Sequence, residues 1–71
     1  MNPMQMLYTI NSMNQVETFN YIRYEMNKSE VRSIVNFYEG KFQTFVDLDT
    51  GLLLLNDTLK DNIRIMKEYL Q

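Results

Sequence analysis

The sequence contains no cysteine, histidine or tryptophan, and it also lacks alanine. Without cysteine the chain can form no disulfide and no thiolate-bound zinc or iron–sulfur site, and without histidine a zinc site would need carboxylates alone. Nucleophilic catalysis by a Cys–His or Ser–His pair is excluded for the same reason. Since only carboxylates, lysines and tyrosines remain for acid–base chemistry, we expect a protein that is not an enzyme and needs no metal or cofactor.

Chain-breaking residues are also scarce, because the 71 residues include only two glycines and one proline. This length predicts one domain that spans residues 1–71. A domain of this size buries only about 60% of the surface that its unfolded chain exposes, so its stability is marginal. With no disulfide, stability must come from a dense core or from a partner subunit. The hydrophobic content of 45% is high enough for either a dense core or an apolar subunit interface.

The net charge is small, at −2, and no charged side chain precedes Glu17. Residues 1–46 carry four acids and four bases, whereas residues 47–71 carry five acids and three bases. Nucleic-acid surfaces usually cluster Lys and Arg on one face, so this distribution argues against a nucleic-acid partner. No segment has the pattern of a signal peptide, and the longest aliphatic run is far shorter than the roughly 20 residues of a membrane helix. We therefore expect a mildly acidic cytoplasmic protein that does not contact a membrane.

The two ends of the chain have the patterns of helices. Asn2 and Pro3 resemble a helix cap followed by proline at the first helical position. Apolar residues then recur at every third position: Met4, Leu7, Ile10 and Met13. We predict a helix over 3–14 from this spacing, and an amphipathic helix over 58–70 from a similar apolar pattern near the C-terminus.

The middle of the chain is rich in aromatic and β-branched residues, which favour strands. Residues 16–26, 31–38 and 42–48 each alternate in polarity, and the polar segments 27–30 and 39–41 separate them. This pattern predicts a three-stranded antiparallel meander. Residues 49–51 leave two alternatives. The first is a second hairpin at Gly51 with a fourth strand over 52–55, followed by a helix from about 57 to 70 that Asn56 or Asp57 caps. The second is a longer last helix that is capped by Asp49 or Thr50 and starts near 52. The predicted fold class is α+β, with the C-terminal helix packed on one face of the sheet.

The segment Asp47–Gly51 has two aspartates in alternate positions, as the start of a calcium-binding loop does. An EF-hand loop needs an oxygen ligand at position 5, glycine at position 6 and glutamate at position 12. Here those positions hold Gly51, Leu52 and Thr58, so the loop does not fit. Neither glycine lies in a phosphate-binding spacing. The segment therefore provides no metal or nucleotide site.

The predicted order of helix, three strands and helix resembles the layout of the double-stranded-RNA-binding domain. That family grips phosphates with a basic cluster at the start of its last helix, but residues 56–61 carry two acids and one lysine. The resemblance implies an alternative function, a nucleic-acid-binding regulator that uses an aromatic face of the sheet. The aromatic residues of the predicted strands, with Arg23 interleaved, are Phe19, Tyr21, Tyr24, Phe37, Tyr38, Phe42 and Phe45.

The preferred hypothesis is a small protein-interaction module that binds and inhibits a host protein and forms a homodimer. Abundant Asn, Ile, Lys, Tyr, Phe and Met without alanine is typical of an AT-rich genome, so we expect a phage or mobile-element origin. Charge-free residues exposed on the first helix, the aromatic residues around Arg23, and acids that could face a basic partner are the candidate contacts. They are Met6, Tyr8, Tyr21, Arg23, Tyr24, Asp47, Asp49, Asp57 and Asp61.

Overall fold

A computed structural model describes residues 2–41, 44 and 46–71, and this part of the chain folds into five helices without a strand. The helices are α1 (Pro3–Asn11), α2 (Gln15–Glu25), α3 (Lys28–Lys41), α4 (Leu48–Leu54) and α5 (Asp57–Leu70). The predicted α+β fold with its antiparallel meander is therefore wrong, and so is the layout that resembled the double-stranded-RNA-binding domain. The protein is an all-α globule.

Asparagine caps explain why α1, α2 and α3 start where they do. In each case the cap side chain accepts a hydrogen bond from the backbone N–H three residues later, at 2.8–2.9 Å. The side chain of that later residue accepts in turn from the backbone N–H of the cap, at 3.1–3.2 Å. These capping boxes satisfy N–H groups that a helix start leaves free. The pairs are Asn2–Gln5, Asn14–Glu17 and Asn27–Glu30.

The two predicted strands at 16–26 and 31–38 are helices because their buried residues follow helical spacing. The buried residues of α2 lie four positions apart, at Thr18 and Ile22. Those of α3 follow the i, i+3, i+4, i+7 pattern of one helix face. They are Val31, Ile34, Val35 and Tyr38. The alternation that predicted strands counted exposed aromatics such as Phe19 and Tyr24 as if they faced a core.

The predicted turns and the third strand also change. Residues 27–30 form the capping box and first turn of α3, and 39–41 are its last residues. The predicted strand over 42–48 falls partly on residues 42, 43 and 45, which lie outside the described residues. The hairpin with a strand over 52–55 and the longer last helix are both wrong, because Asp47 caps the separate helix α4. The helix start at Asp57 with a cap at Asn56, which belonged to the hairpin alternative, is confirmed.

Helix α5 is the central element of the core. It packs against each of α1, α2, α3 and α4, and its buried face consists of Leu59, Asn62, Ile63 and Met66. Leu7 and Ile10 of α1 and Val31 of α3 are completely buried beside it. Helices α1 and α5 lie where sequence spacing predicted them, although α1 ends at Asn11 rather than Asn14 and α5 packs on helices rather than on a sheet. No helix of the described chain is long and apolar enough to cross a bilayer.

Gly51 lies inside α4, and its φ is not positive. A Cβ atom at this position would meet Val46 Cγ2 at 3.8 Å, an ordinary van der Waals contact. We expect Gly51→Ala to raise the free energy of unfolding by about 0.5–1 kcal/mol, because alanine loses less backbone entropy in a helix. Urea unfolding followed by circular dichroism measures this change. Gly40→Ala in the last turn of α3, where a Cβ meets nothing within 4 Å, is the matched helical comparison and should stabilise the chain in the same direction. A loss of stability in Gly51→Ala would instead support the hairpin turn.

Candidate functional site

Helix α4 divides a run of four leucines between the core and the solvent. Leu53 and Leu54 are 6% and 2% exposed, whereas Leu52 and Leu55 are 60% and 61% exposed. Leu48, one turn before Leu52, is 77% exposed. Because positions i, i+4 and i+7 lie on one side of a helix, the three exposed residues form a single apolar stripe. We call Leu48, Leu52 and Leu55 the leucine face.

One hydrogen bond caps the start of this short helix, and another attaches its end to α3. At its start, the Asp47 carboxylate accepts a hydrogen bond from the Thr50 N–H at 2.8 Å. That hydrogen bond holds the pKa of Asp47 below its ordinary value of 3.8. Near its end, the buried Tyr38 hydroxyl donates to the Leu54 carbonyl oxygen at 3.3 Å. Burial, assisted by the negative charge of Glu39, raises the pKa of Tyr38 above 10.0. These contacts, with Leu53 and Leu54 inside, hold the leucine face toward solvent.

A cleft of about 400 Å³ lies between α1 and the leucine face. Its lining residues are Tyr8, Asn11, Asp49, Leu52, Leu53 and Asn56. Tyr8 is 50% exposed and extends the apolar surface from α4 onto α1. The fold therefore brings together Tyr8 and Asp49, two candidate contacts that are 41 positions apart in sequence.

Acids outnumber bases near the leucine face: Asp49 lines the cleft with Leu52, and Lys41 lines a smaller depression with Leu55. Residues 42–59 include Asp47, Asp49 and Asp57 but no lysine or arginine. All three side chains are exposed, and within the described residues Asp49 and Asp57 form no ion pair. Their places at the starts of α4 and α5 suit the positive ends of those helix dipoles. The described residues contain no group of acids that could hold a metal ion.

The other candidate contacts lie elsewhere. Met6 is only 8% exposed, so the expectation that it is exposed is wrong, and its sulfur accepts a hydrogen bond from the half-buried Tyr21 hydroxyl at 3.9 Å. Tyr24 is 70% exposed on α2, and the Arg23 guanidinium lies 5.6 Å from its ring centroid. Asp61 is paired with Arg64 at 3.6 Å on α5.

The aromatic sheet that the alternative function needed is not part of the described structure. Tyr38 is buried, and Phe37 is half-buried with the Lys41 amine 5.1 Å from its ring centroid. Phe42 and Phe45 lie outside the described residues. The remaining aromatic residues of the predicted strands lie on α2. Within the described residues, the rings of Phe19, Tyr21, Tyr24, Phe37 and Tyr38 therefore lie on two helices and not on one sheet face.

A second apolar surface lies between α2 and α5, where a groove of about 450 Å³ opens to solvent. Val16 and Phe19 line one side and are 70% and 48% exposed. The half-buried Ile65 and Tyr69 line the other, with Gln15 and Glu68 completing the groove. This groove provides a comparison surface for experiments on the leucine face.

Comparisons with protein-family models, curated proteins and solved structures find no match to this chain. The leucine face itself was not predicted, because one alternative placed residues 52–55 in a fourth strand and the other placed Leu52 and Leu55 in the apolar stripe of a longer last helix. The useful signals were Asp47 as a cap and Asn56 as the next cap, which together isolate residues 48–54 as a separate helix.

The four-leucine run gives a sharp mutational contrast. We expect Leu53→Ala and Leu54→Ala each to lower the free energy of unfolding by about 2–5 kcal/mol, because both remove buried side chains. Leu52→Ala and Leu55→Ala should change it by less than about 0.5 kcal/mol. In a strand, Leu52 and Leu54 would share one face and Leu53 and Leu55 the other, so the losses of stability would alternate along the run. Urea unfolding of the four variants distinguishes the two patterns.

Proposed function

We propose that this domain is a non-enzymatic protein-interaction module that contacts its partner through the leucine face of α4. The observation that carries the proposal is that two leucines of α4 and the leucine at its C-cap, all on one side of the helix, are 60–77% exposed. Isolated surface leucines are ordinary, but an apolar stripe bordered by polar residues is typical of a contact surface. The i, i+4, i+7 spacing is the arrangement by which one helix inserts anchor residues into a partner.

The energies support a contact that includes more than α4. Burying one leucine contributes about 1.5–3 kcal/mol, so the leucine face offers roughly 5–9 kcal/mol. Association costs about 4–15 kcal/mol in lost translational and rotational freedom. Three leucines therefore give weak binding at best, and we include Tyr8 and the cleft beside Leu52 in the contact surface.

We infer that the module inhibits its target by occupying a site on it. A chain without cysteine or histidine is poorly equipped to modify its target, and a small rigid surface can inhibit by occupying a site on it. The composition supports an origin in a phage or mobile element whose target is a host protein. A second copy of the chain, expected from the sequence, is another possible occupant of the same face.

Site-specific photo-crosslinking tests this proposal. We would place p-benzoylphenylalanine at position 52 and, in separate variants, at positions 16 and 36, which are exposed on α2 and α3. Irradiation in a bacterial lysate should give a discrete product of higher mass from position 52 only. That product should disappear when Leu48 and Leu55 are both replaced by glutamine, which keeps the side-chain size and helix propensity close to those of leucine.

The same experiment can contradict the proposal. Absence of any product from position 52, or a product that survives the replacement of Leu48 and Leu55, would show that the leucine face is not the contact surface. A product from position 16 alone would assign contact to the groove between α2 and α5. A product at twice the mass of the chain would support the proposal with a second copy as the partner.

A further inference from the structure

We infer that the occupant of the leucine face is a basic amphipathic helix, with apolar residues along one side and lysine or arginine beside them. This inference rests on the proposed function and names the chemistry of the partner. It depends on two features that occur together: the apolar stripe of α4 and the acids at both of its ends.

The acids frame the leucine face along its length. Asp47 and Asp49 lie on either side of Leu48, and Asp57 follows Leu55 by two residues. Asp49 also lines the cleft with Leu52, so one carboxylate lies directly beside the apolar contact area. Lys41 is close enough to lower the pKa of Asp47 slightly, but Asp49 and Asp57 have no ion-pair partner in the described chain.

Charge complementarity selects among the possible occupants. An apolar contact with an acidic rim attracts a partner with basic residues at its own rim and accelerates their encounter. Nucleic-acid phosphates and anionic lipid headgroups would be repelled by the same carboxylates. Of the macromolecules that could cover an apolar helix face, a basic protein segment therefore fits best.

A second copy of the chain fits less well. A two-fold axis at Leu52 would set two α4 helices antiparallel, with Leu48 of one copy against Leu55 of the other. The same symmetry brings Asp47 of one copy toward Asp57 of its partner at both ends of the contact. Lys41, which lies beside Leu55, offsets only part of that repulsion.

The size of the surface indicates the form of the partner. Seven residues separate Leu48 from Leu55, which corresponds to about 10 Å along a helix. Two turns of a partner helix cover this length. Apolar residues of the partner with the same spacing as in α4 would pack between the leucines of the leucine face. The cleft beside Leu52 has room for one additional apolar side chain.

The test uses two synthetic peptides of about 15 residues, long enough to form a helix on binding. Both carry leucine at the same helical positions, and their polar positions are all lysine in one and all glutamate in the other. Fluorescence anisotropy with the full chain should show about tenfold tighter binding of the lysine peptide, because three exposed ion pairs together change affinity by roughly one order of magnitude. The preference should shrink between 0.1 and 1 M salt as the screening length falls from about 10 to about 3 Å.

Three variants identify the surface and the charges. Leu52→Gln should weaken binding of the lysine peptide by at least about tenfold, since it removes a leucine anchor, whereas Val16→Gln in the other groove should leave binding unchanged. Replacing Asp49 and Asp57 together with asparagine should reduce the preference for lysine over glutamate from about tenfold to about twofold, because only Asp47 then remains to pair with lysine. Asp47 is kept because it caps α4.

Each contrary outcome has a distinct meaning. Equal binding of both peptides, lost in Leu52→Gln, would overturn the basic partner but keep the leucine face as the contact surface. Binding of neither peptide, or binding that Leu52→Gln does not change, would overturn this inference and leave the proposed function to the crosslinking test. A dimer seen by light scattering and dissociated by Leu52→Gln would assign the face to a second copy and overturn the inference as well.

Discussion

Leu59→Ala should lower the free energy of unfolding by about 2–5 kcal/mol, because it removes a completely buried side chain from the first turn of α5. A domain of this length has a total stability of roughly 4–10 kcal/mol. The loss of the Leu59 side chain alone would therefore remove a large part of the free energy of unfolding. Urea unfolding followed by circular dichroism, compared with the unmodified chain, measures the loss.

The size of this effect follows from the position of α5. This helix contacts every other helix, so a cavity beside Leu59 cannot be closed by moving one peripheral element alone. Lys60→Ala is the matched control, since Lys60 is the exposed neighbour of Leu59 and should change stability by less than about 0.5 kcal/mol. A Leu59→Ala variant that loses less than about 1 kcal/mol would show that α5 is not the central helix.

Asn62→Asp is the second large expected effect, because Asn62 is the buried polar link between α5 and α1. Its side chain is 1% exposed, and its Nδ2 donates to the carbonyl oxygens of Ile10 and Met13 at 2.8 and 2.9 Å. Aspartate would lose both donors and place a carboxylate against two carbonyl oxygens near the negative end of the α1 dipole. We expect a loss of about 3–5 kcal/mol at pH 7.

The pH dependence of this variant separates charge from packing. Burial should raise the pKa of the introduced carboxyl above its unfolded value, so its folded form binds a proton more tightly. The destabilisation should therefore be smaller at pH 4 than at pH 7, because stability is lost as pH rises through the folded pKa. Asn62→Leu is the uncharged comparison and should lose about 1–3 kcal/mol at both pH values. An Asn62→Asp variant within about 1 kcal/mol of the unmodified chain would contradict the buried link.

The two terminal helices could be predicted from sequence because their apolar residues repeat at helical spacing. The middle of the chain was predicted wrongly, because the prediction depended on the preference of aromatic and β-branched side chains for strands. That preference is weak and depends on context. Caps were the stronger signal. Asn14 and Asn27, each followed three residues later by glutamate, form the hydrogen bonds that start α2 and α3. The spacing from Val31 to Tyr38 was helical as well, but the exposed aromatics obscured it.

The candidate site was predictable only in part. Tyr8 and Asp49 were among the candidate contacts, and both line the cleft beside Leu52. The leucine face was missed because four consecutive leucines do not indicate which two face inward. That choice depends on contacts distant in sequence, such as the hydrogen bond from Tyr38 to the Leu54 carbonyl.

Leucine-methyl NMR with a soluble paramagnetic probe tests the central claim most directly, namely that α4 presents a leucine face to solvent. In a dilute sample of the isolated chain, the methyl signals of Leu48, Leu52 and Leu55 should broaden strongly. Those of Leu53 and Leu54 should stay sharp, like those of the buried Leu7 and Leu59. Broadening that alternates along 52–55, or protection of Leu52 and Leu55 together, would contradict the account.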